Sequence, residues 1–468
     1  MNQDVQILEK DALTNRVILR NEKLGLDACE ILAQAVNAVD PYTCTYEQLQ
    51  VQNQQIIIDD KVFNLKNFKR VFLLGFGKAA VPMAKAVIDK LGSILNQAAV
   101  ITKDPKFLAE NSYQGKLKVY LGDHPIPSGL SINSTRTLLT NLPEMTKDDL
   151  VFVVISGGGS ALFTDPVPGI SLDDLQKLTQ ILLNSSADID EINTLRKHLD
   201  QMKGGRLAIR LQPACVATLI LSDVIGDRLD IIASGPTVPD PTTYQDAIEV
   251  LQRYGVLEQV PETILAHLGK GVNGLVPETL KPGQTLSENV FNFIVGTNYR
   301  AAMAALEKAK ALGYHSVLIT TALIGLTDHI AGFIDGIADT VIKYDVPVSK
   351  PACILFGGEP TVIVAGDGLG GRNMDLALKI VPKLSGKKGV LFISFATDGE
   401  DGPTDAAGAV ADGLMYCEGR DYFGLNIDAF IKDNDSYHYH EAMGGLIKTG
   451  STGTNVNDLM LLLINSVP

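Results

Sequence analysis

The stretch LLGFGKAA (73–80) decides the fold, because an apolar run breaks into glycines and continues as a helical pattern. VFVVISGGGSA (151–161) repeats this order further along the chain. A strand that turns through glycines into a helix directs backbone N–H groups at one point, where the helix dipole favours an anion. We therefore predict that both turns face a phosphate group, with Lys78 beside it. The second turn would bind phosphate through Ser156, Gly157, Gly158, Gly159 and Ser160.

Both glycine turns also have a structural interpretation, in which glycine serves the turn alone. Gly75, Gly77 and Ala80 match the dinucleotide-binding fingerprint, but Lys103 comes first where an acidic residue is needed about 20 residues later. Three consecutive glycines cost entropy in the unfolded chain, which favours a position where a ligand or backbone must approach closely. The sequence contains neither a Walker A loop nor a nucleophile elbow.

Apolar β-type runs alternate with helical patterns through the first half of the chain. The runs are Val71–Gly75, Ala98–Thr102, Lys118–Leu121, Leu150–Ile155 and Ala217–Leu221. This alternation predicts an α/β fold with a Rossmann-like three-layer domain, whose mostly parallel sheet is covered on both faces. Ligands bind beyond the carboxyl ends of such strands, which is where both glycine turns fall.

Strands recur in the second half of the chain and predict a smaller α/β domain. They are Phe291–Gly296, Ser316–Thr320, Ala352–Phe356, Thr361–Ala365 and Val390–Phe395. The short GGEP connection (357–360) suits a hairpin, so we expect a mixed sheet. A segment rich in Gly and Pro (270–285) is the expected linker between domains 1–285 and 286–468, with the proline-rich segment 234–242 as the alternative boundary. The start, from about Ala12 to Val39, is predicted to be helical.

Composition excludes several classes of protein. The net charge of −14 argues against a nucleic-acid partner, which would require a basic face. The five cysteines are scattered without a CxxC pair, which fits reduced thiols better than disulfides or a zinc site. The opening 16 residues lack the order of a signal peptide, and no apolar run approaches about 18 residues. We expect a cytoplasmic protein that spans no membrane.

A cationic wall is predicted on the segment DEINTLRKHLDQMKGGR (190–206). The pattern indicates a helix with Asp190 as N-cap, ended by Gly204 and Gly205. At about 100° per residue, Arg196 and Lys203 project from the same side, beside the apolar stripe. They could form part of an anion site, or they could be surface side chains that snorkel to water.

Carboxylates follow several of the predicted strands. Asp223 comes after the strand ending near Leu221, in a metal, base or turn-capping position. Glu359 follows another strand, and Arg372 lies among glycines at a helix start, where it could form a bidentate pair with a carboxylate or phosphate. The loop ATDGEDGPTDAAG (396–408) adds Asp398 and Asp401. These suit magnesium, which binds one or two carboxylates together with substrate phosphates.

Taken together, these motifs resemble the type 2 glycerate kinases, whose C-terminal part is called the MOFRL domain. The resemblance runs from about residue 25 to the end and covers the following motifs in order: GFGKAA (75–80), GDHPIPS (122–128), ISGGGSAL (155–162), RKHL and KGGRLA (196–208), LSDVIGD and IASGPT (221–237), GGEPTV (357–362), GGRNMDLAL (370–378), ATDGEDGPTDAAGA (396–409) and STGTNVNDL (451–459).

The resemblance implies two α/β domains with the active site in the cleft between them. It also implies ATP-dependent phosphorylation of D-glycerate at its 2-hydroxyl, giving 2-phosphoglycerate and ADP. Its leading catalytic candidates correspond here to Lys78, which would stabilise the transferring phosphoryl group, and Arg372, which would hold that group or the glycerate carboxylate. The expected partners are therefore small molecules, glycerate and ATP, with Mg²⁺ as the metal.

The remaining candidate residues have hypothetical roles in this reaction. Arg196, Lys203 and Glu359 would contribute to substrate or phosphate binding. Asp223 is a candidate for accepting the hydroxyl proton or for binding magnesium, and Asp398 and Asp401 are candidate metal ligands. The main rival is an NAD(P)H-dependent hydroxypyruvate reductase, which would use GFGKAA as a dinucleotide turn. A non-catalytic binding protein for sugars or phosphates is a further alternative.

Overall fold

The computed structural model describes residues 22–185, 187–284 and 289–465. Its α-helices, numbered along the chain, are α1 (Glu22–Asn37), α2 (Pro41–Gln48), α3 (Ala80–Leu91), α4 (Gly129–Thr140), α5 (Gly159–Leu162), α6 (Leu172–Asn184), α7 (Ile189–Leu199), α8 (Arg206–Arg210), α9 (Tyr244–Arg253), α10 (Glu262–Val272), α11 (Asn298–Ala311), α12 (Thr327–Tyr344), α13 (Arg372–Leu384), α14 (Met415–Tyr422), α15 (Ile427–Asp433) and α16 (Ser436–Ala442).

The β-strands are numbered in the same way. They are β1 (Gln50–Gln52), β2 (Gln55–Ile58), β3 (Lys61–Asn64), β4 (Arg70–Phe76), β5 (Gln97–Thr102), β6 (Leu117–Leu121), β7 (Asp149–Ile155), β8 (Cys215–Leu221), β9 (Val290–Gly296), β10 (His315–Leu326), β11 (Ala352–Thr361), β12 (Val390–Ala396), β13 (Gly408–Asp412), β14 (Leu446–Ile447) and β15 (Asp458–Ile464). The chain packs as two compact units, residues 41–295 and residues 1–40 with 296–468. We call them the 41–295 unit and the C-terminal unit.

The 41–295 unit is built on a six-stranded sheet in the order β6-β5-β4-β7-β8-β9. The pairs β4–β5, β5–β6, β4–β7 and β7–β8 are all parallel. From β4 the chain first moves outward to β5 and β6, and then returns to place β7 on the other side of β4. This reversal is the topological switch point at which open α/β sheets bind ligands. Both glycine turns begin there, one after β4 and one after β7.

Burial explains why these runs form central strands. All seven residues of β7 are buried, as expected for a parallel strand covered on both faces. In one core cluster, alternate residues of β4 (Phe72, Leu74 and Phe76) pack with Leu138 and Leu139 of α4. Helix α3 contacts β4, β5 and β7 but contributes nothing to that cluster, so helices cover both faces of the sheet. The predicted Rossmann-like three-layer architecture is confirmed.

The C-terminal unit contains a separate six-stranded sheet in the order β10-β11-β15-β12-β13-β14. β10 and β11 are parallel, whereas β15 is antiparallel to both β11 and β12. The mixed sheet was therefore predicted correctly. The predicted hairpin at GGEP is wrong, because β11 continues through this segment to Thr361. β10 extends to Leu326 and pairs with β11 along this segment. Gly358 has no Cβ and therefore leaves room for the Leu323 backbone.

The packing boundary differs from a simple division of the chain at residue 285. β9 was expected in the second domain, but it is the edge strand of the first sheet, beside β8. Helix α1 packs against α11 in the C-terminal unit, with ion pairs such as Glu30–Lys308 at 2.6 Å. The part of the predicted N-terminal helical region before Glu22 lies outside the described residues. The domains 1–285 and 286–468, as independent folding units, stay a prediction.

The segment predicted as one helix from Asp190 to Arg206 is also different. Asp188 is the N-cap of α7 and forms a capping box with Glu191, and the helix already ends at Leu199. Asp200 is extended there because its backbone bridges to Pro166 and its carboxylate accepts hydrogen bonds from the Thr164 hydroxyl and the Met202 N–H. None of the helices in the described ranges has the length and apolar character needed to cross a membrane.

The first glycine turn gives a test of the switch-point geometry. Gly77 has φ +130°, and a Cβ at this position would overlap the Ser156 side chain and backbone. Gly77→Ala should therefore lower the free energy of unfolding by about 2–4 kcal/mol through backbone strain and overpacking. Thermal unfolding followed by circular dichroism measures the change.

Gly129→Ala is the matched control. Gly129 is the first residue of α4, and a Cβ there would meet open space. Alanine is favoured over glycine in helices, so this variant should unfold at the wild-type temperature or slightly above it. Equal midpoints for the two variants would show that the turns do not pack as described.

Candidate active site

A cavity of about 210 Å³ opens in the 41–295 unit beyond the carboxyl ends of β7 and β8. The predicted residues that line it are Ser156, Gly157, Gly158, Gly159, Ser160, Arg196, Lys203 and Asp223. Sequence reasoning thus selected a set that the fold brings together. His124, Asn193 and Asp200 also line the cavity and were not among the predicted site residues.

The glycines of the second turn make room for functional side chains. A Cβ on Gly157 would overlap the carboxylate of Asp223, and one on Gly158 would lie 2.9 Å from Cδ2 of His124. Gly158 also has φ +80°, a conformation that other residues rarely adopt. The close approach at these two glycines is made by the side chains of Asp223 and His124 rather than by backbone, and the approach of a ligand stays a prediction.

Hydrogen bonds join the two glycine turns to each other. The Ser156 hydroxyl accepts from the Ala79 N–H at 2.9 Å, and the Lys78 N–H donates to the Gly157 carbonyl at 2.9 Å. The helix after the second turn, α5, has only four residues, so its dipole contributes little to anion binding there. Ser156 thereby holds the first turn in place, and the phosphate role predicted for its hydroxyl stays a prediction.

Lys78 lies half-buried on the first turn, close to the second. Among the described residues its ammonium group has no hydrogen bond or ion pair. Its charge reaches the cavity, because Lys78 is one of the cations that lower the pKa of His124. Lys78 is therefore available to an anionic ligand.

Arg196 and Lys203 differ in how their charges are compensated. Lys203 is buried and pairs with Asp200 at 2.6 Å, so its charge is already balanced. Arg196 lies in the cavity wall, where burial lowers its pKa. Within the described ranges no carboxylate forms an ion pair with Arg196. A half-buried guanidinium without a counter-ion is a strong site for an incoming anion.

His124 is the functional candidate that the sequence reasoning missed. It lies after β6 within GDHPIPS (122–128), a motif used only for the family resemblance. Burial, with Lys78, Lys103 and Arg196 nearby, lowers its pKa to about 4. The imidazole is therefore neutral near pH 7 and can accept or donate one hydrogen bond without adding charge to the cavity.

A second group of predicted residues surrounds Arg372 in the C-terminal unit. Its guanidinium binds Asp458 through two hydrogen bonds, of 2.6 Å from Nε and 3.1 Å from Nη2. Nη1 donates to Glu359 at 2.7 Å. Burial alone would lower the pKa of Arg372, but Asp458 and Glu359 outweigh it and raise the pKa. Asp458 is fully buried and was not singled out from the sequence, because only the fold shows that it faces Arg372.

The two acidic residues predicted as metal ligands have different surroundings. Asp401 is buried and accepts hydrogen bonds from the N–H groups of Asn373 and Met374, so its carboxylate caps α13 beside Arg372. Asp398 is half-buried and accepts from the Glu400 N–H at 3.1 Å. The described residues contain no group of three or more His, Cys, Asp or Glu side chains that could hold a metal by themselves. A magnesium ion would therefore depend on substrate phosphates for most of its negatively charged ligands.

The neutral state of His124 gives a test of the cavity's charge. Titration of the histidine Cε1 protons by NMR should show a pKa of about 4 for His124. Arg196→Gln should raise this pKa, because the substitution removes a cation that disfavours protonation. Arg210→Gln, at an exposed position away from the cavity, should leave the pKa unchanged. A wild-type pKa near 6.5 would contradict the described surroundings of the imidazole.

Comparisons with known proteins agree with this arrangement. Residues 27–269 match the family model of a domain of unknown function, DUF4147, and residues 352–458 match the MOFRL family. The "D-glycerate 2-kinase" of Thermotoga maritima is 40% identical and the alignment covers 95% of this chain and 99% of that protein. The "Glycerate 2-kinase" of Pyrococcus horikoshii is 39% identical, with 93% and 96% coverage.

A solved structure gives the same result. The crystal structure of a glycerate kinase from Thermotoga maritima superposes with a TM-score of 0.81 at 39% identity, covering 95% of this chain and 100% of that one. The relatives and the solved structure match nearly the whole length, and the two family models match residues 27–269 and 352–458 within it. This chain belongs to the glycerate 2-kinase family, with the MOFRL domain as its C-terminal part.

Proposed function

We propose that this protein transfers the γ-phosphoryl group of ATP to the 2-hydroxyl of D-glycerate, giving 2-phosphoglycerate and ADP. The observation that carries the proposal is the Arg196 guanidinium, which lines a cavity at the switch point and has no ion pair among the described residues, together with Lys78, whose charge also acts on His124 in that cavity. Every substrate and product of this reaction is an anion. Membership of the family, whose relatives are named for glycerate phosphorylation, supports the same reaction.

Phosphoryl transfer requires positioning and charge neutralisation more than covalent chemistry. Arg196 would bind phosphate oxygens, and Lys78 would neutralise charge that grows on the transferring group. The backbone of the 156–160 turn would exclude water and hold the phosphates close, since its glycines leave no side chain in the way. Asp223, which lines the cavity beside Gly157, is the candidate to accept the hydroxyl proton.

The acidic residues fit magnesium only in part. When bound, Mg²⁺ would neutralise phosphate charge during transfer. Asp398 has a half-buried carboxylate that could contribute one oxygen in the C-terminal unit, and Asp223 is the separate candidate in the 41–295 unit. The oxygens of Asp401 already accept N–H groups of α13, so we give Asp401 the role of positioning Arg372.

Arg372 would act on the acceptor or the phosphoryl group, as the family resemblance implies. Its Nε and Nη2 are held by Asp458, and Glu359 occupies only Nη1. Two of its five N–H groups have no partner among the described residues and remain for a substrate oxygen.

The decisive assay measures ADP release from Mg²⁺ and ATP with D-glycerate, with L-glycerate and without acceptor, followed by identification of the product. We expect turnover with D-glycerate and formation of the 2-phospho isomer. NADH oxidation with hydroxypyruvate, without ADP release, would instead establish the reductase and refute the kinase.

Arg196→Gln tests the anion site within that assay. Loss of charged hydrogen bonds to a phosphate should lower kcat/KM on the order of 10²-fold, because each such bond contributes about 1.5–3 kcal/mol. Arg210→Gln removes an exposed arginine of the same unit and should have wild-type kinetics. Wild-type kinetics for Arg196→Gln would remove Arg196 from the mechanism.

Asp458→Asn tests how Arg372 is positioned. The amide would place an N–H₂ group against one of the two guanidinium donors, so Arg372 should lose its fixed direction. We expect kcat to fall by roughly 10–100-fold with a smaller change in the KM for ATP. Asp421→Asn, which breaks the exposed pair with Arg420, is the control and should leave both constants unchanged. Equal kinetics for the two variants, both folded by circular dichroism, would show that Asp458 does not position Arg372.

A further inference from the structure

The cavity of the 41–295 unit has two chemically different ends. One end contains the glycine turn with Arg196, Lys203 and His124. The other end is apolar and lies between α6 and α7. Its lining residues are Leu175, Leu178, Thr179, Leu182, Ile189 and Ile192.

The apolar end is a built feature of two firmly capped helices. Ser171 and Asp174 form a capping box at the start of α6, and Asp188 and Glu191 form one at the start of α7. Such boxes fix both helix starts by satisfying their free N–H groups. The apolar wall is therefore held in one arrangement.

The two ends are joined along one face of α7. Ile192 and Arg196 are four residues apart, so they lie on the same face about one helical turn from each other. Both line the cavity. A ligand lying along this face would therefore contact hydrocarbon first and a guanidinium one turn later.

Part of this hydrocarbon remains exposed at the cavity mouth. Ile189 is 54% exposed, and Leu175 is only partly buried, whereas Leu178 and Leu182 are buried behind them. A concave site that is lined mostly by apolar residues and has a few polar groups at one end is typical of small-molecule binding. The apolar end therefore fits a flat, largely apolar group.

Only one substrate of the proposed reaction contains such a group. Glycerate has three carbons, each of which carries oxygen, so it has no apolar face to bury. ATP joins an aromatic base to a chain of phosphates, in the same order as the apolar and cationic ends of the cavity. Burying a purine against leucine and isoleucine side chains is favourable, whereas burying glycerate there would leave its hydroxyl groups without hydrogen-bond partners.

We propose that the purine base of the nucleotide lies in the apolar end between α6 and α7, with its phosphates directed toward Arg196 and the 156–160 turn. This inference rests on the proposed kinase function and assigns the nucleotide to the 41–295 unit. The acceptor then requires no part of the apolar end.

A single introduced tryptophan tests the location directly, because the chain contains none. Ile189→Trp places the fluorophore at the lip of the apolar end. The tryptophan emission should change on addition of adenosine, which has a base but no phosphate. The excited tryptophan should also transfer energy to the mant group of bound mant-ADP. Tyr422→Trp, at a position that is 83% exposed in the C-terminal unit, is the control and should not respond to adenosine.

A blocking variant provides an independent measurement. Thr179→Phe would fill the apolar end and should raise the KM for ATP and the Kd for mant-ADP at least tenfold, with the KM for D-glycerate changed less than twofold. Thr137→Phe is the matched control, since Thr137 is an exposed helical threonine whose hydroxyl also donates to the carbonyl four residues earlier. It should leave all three constants unchanged.

The possible failures are distinguishable. An active kinase whose Thr179→Phe variant keeps its KM for ATP, and whose Ile189→Trp variant ignores adenosine, overturns the base site while the proposed function stands. An increase in the KM for D-glycerate alone assigns the apolar end to the acceptor and also overturns it. Adenosine binding without any kinase activity refutes the proposed function and retains the base site.

Discussion

The contact between the two glycine turns is the constraint on which the rest of the site depends. β4 and β7 are adjacent and in register, so Phe76 lies beside Ile155 and the chains leave the sheet at the same height. The Ser156 hydroxyl and the Gly157 carbonyl then bind the N–H groups of Ala79 and Lys78. These bonds place Lys78 next to the second turn. Glycine is required on both sides because a Cβ at Gly77 or Gly157 would occupy the space of Ser156 or Asp223.

The sequence predicted the parts of this arrangement that depend on local pattern. The central strands, their parallel pairing and the position of Asp223 at a strand end follow from apolar periodicity and from the rule that strand ends meet at one edge. Arg196 and Lys203 do line one cavity, but not through the single helix that was predicted, because α7 ends at Leu199. The hairpin prediction failed because a short Gly-Gly segment resembles a turn whenever the neighbouring strand is unknown. β10 is that neighbour, and its pairing keeps β11 extended through the Gly-Gly segment. His124 and Asp458 were missed for a similar reason, since their importance comes from residues far away in sequence.

Charge compensation separates side chains that look equivalent in the sequence. Lys203 is neutralised by Asp200 and helps to hold the end of α7, whereas Arg196 on the same cavity wall has no ion pair among the described residues. Sequence spacing placed both on one side, but it did not show that Asp200, directly after the end of α7, forms an ion pair with Lys203. A buried ion pair contributes mainly to structure, and an unpaired cation at a cavity contributes to binding. The neutral His124 adds no charge of its own, so the positive charge near the cavity comes from cations such as Arg196 and Lys78.

The same reasoning distinguishes the two groups of catalytic candidates. Arg372 is bound by both Asp458 and Glu359, so this cluster carries no net positive charge when both carboxylates are ionised, and its acidic neighbour Asp401 adds negative charge when it is ionised. Such a cluster attracts an anion weakly, but it can orient a guanidinium and accept a cation or a proton. The unpaired cations of the 41–295 unit are therefore better suited to bind the phosphate chain. Because burial raises the pKa of Asp458 to about 7 against the opposing charge of Arg372, the negative charge around Arg372 should decrease as the pH falls below 7. Arg372 in the C-terminal unit thus has a fixed direction in surroundings whose charge depends on pH, whereas Arg196 and Lys78 in the 41–295 unit provide electrostatic attraction for an anion.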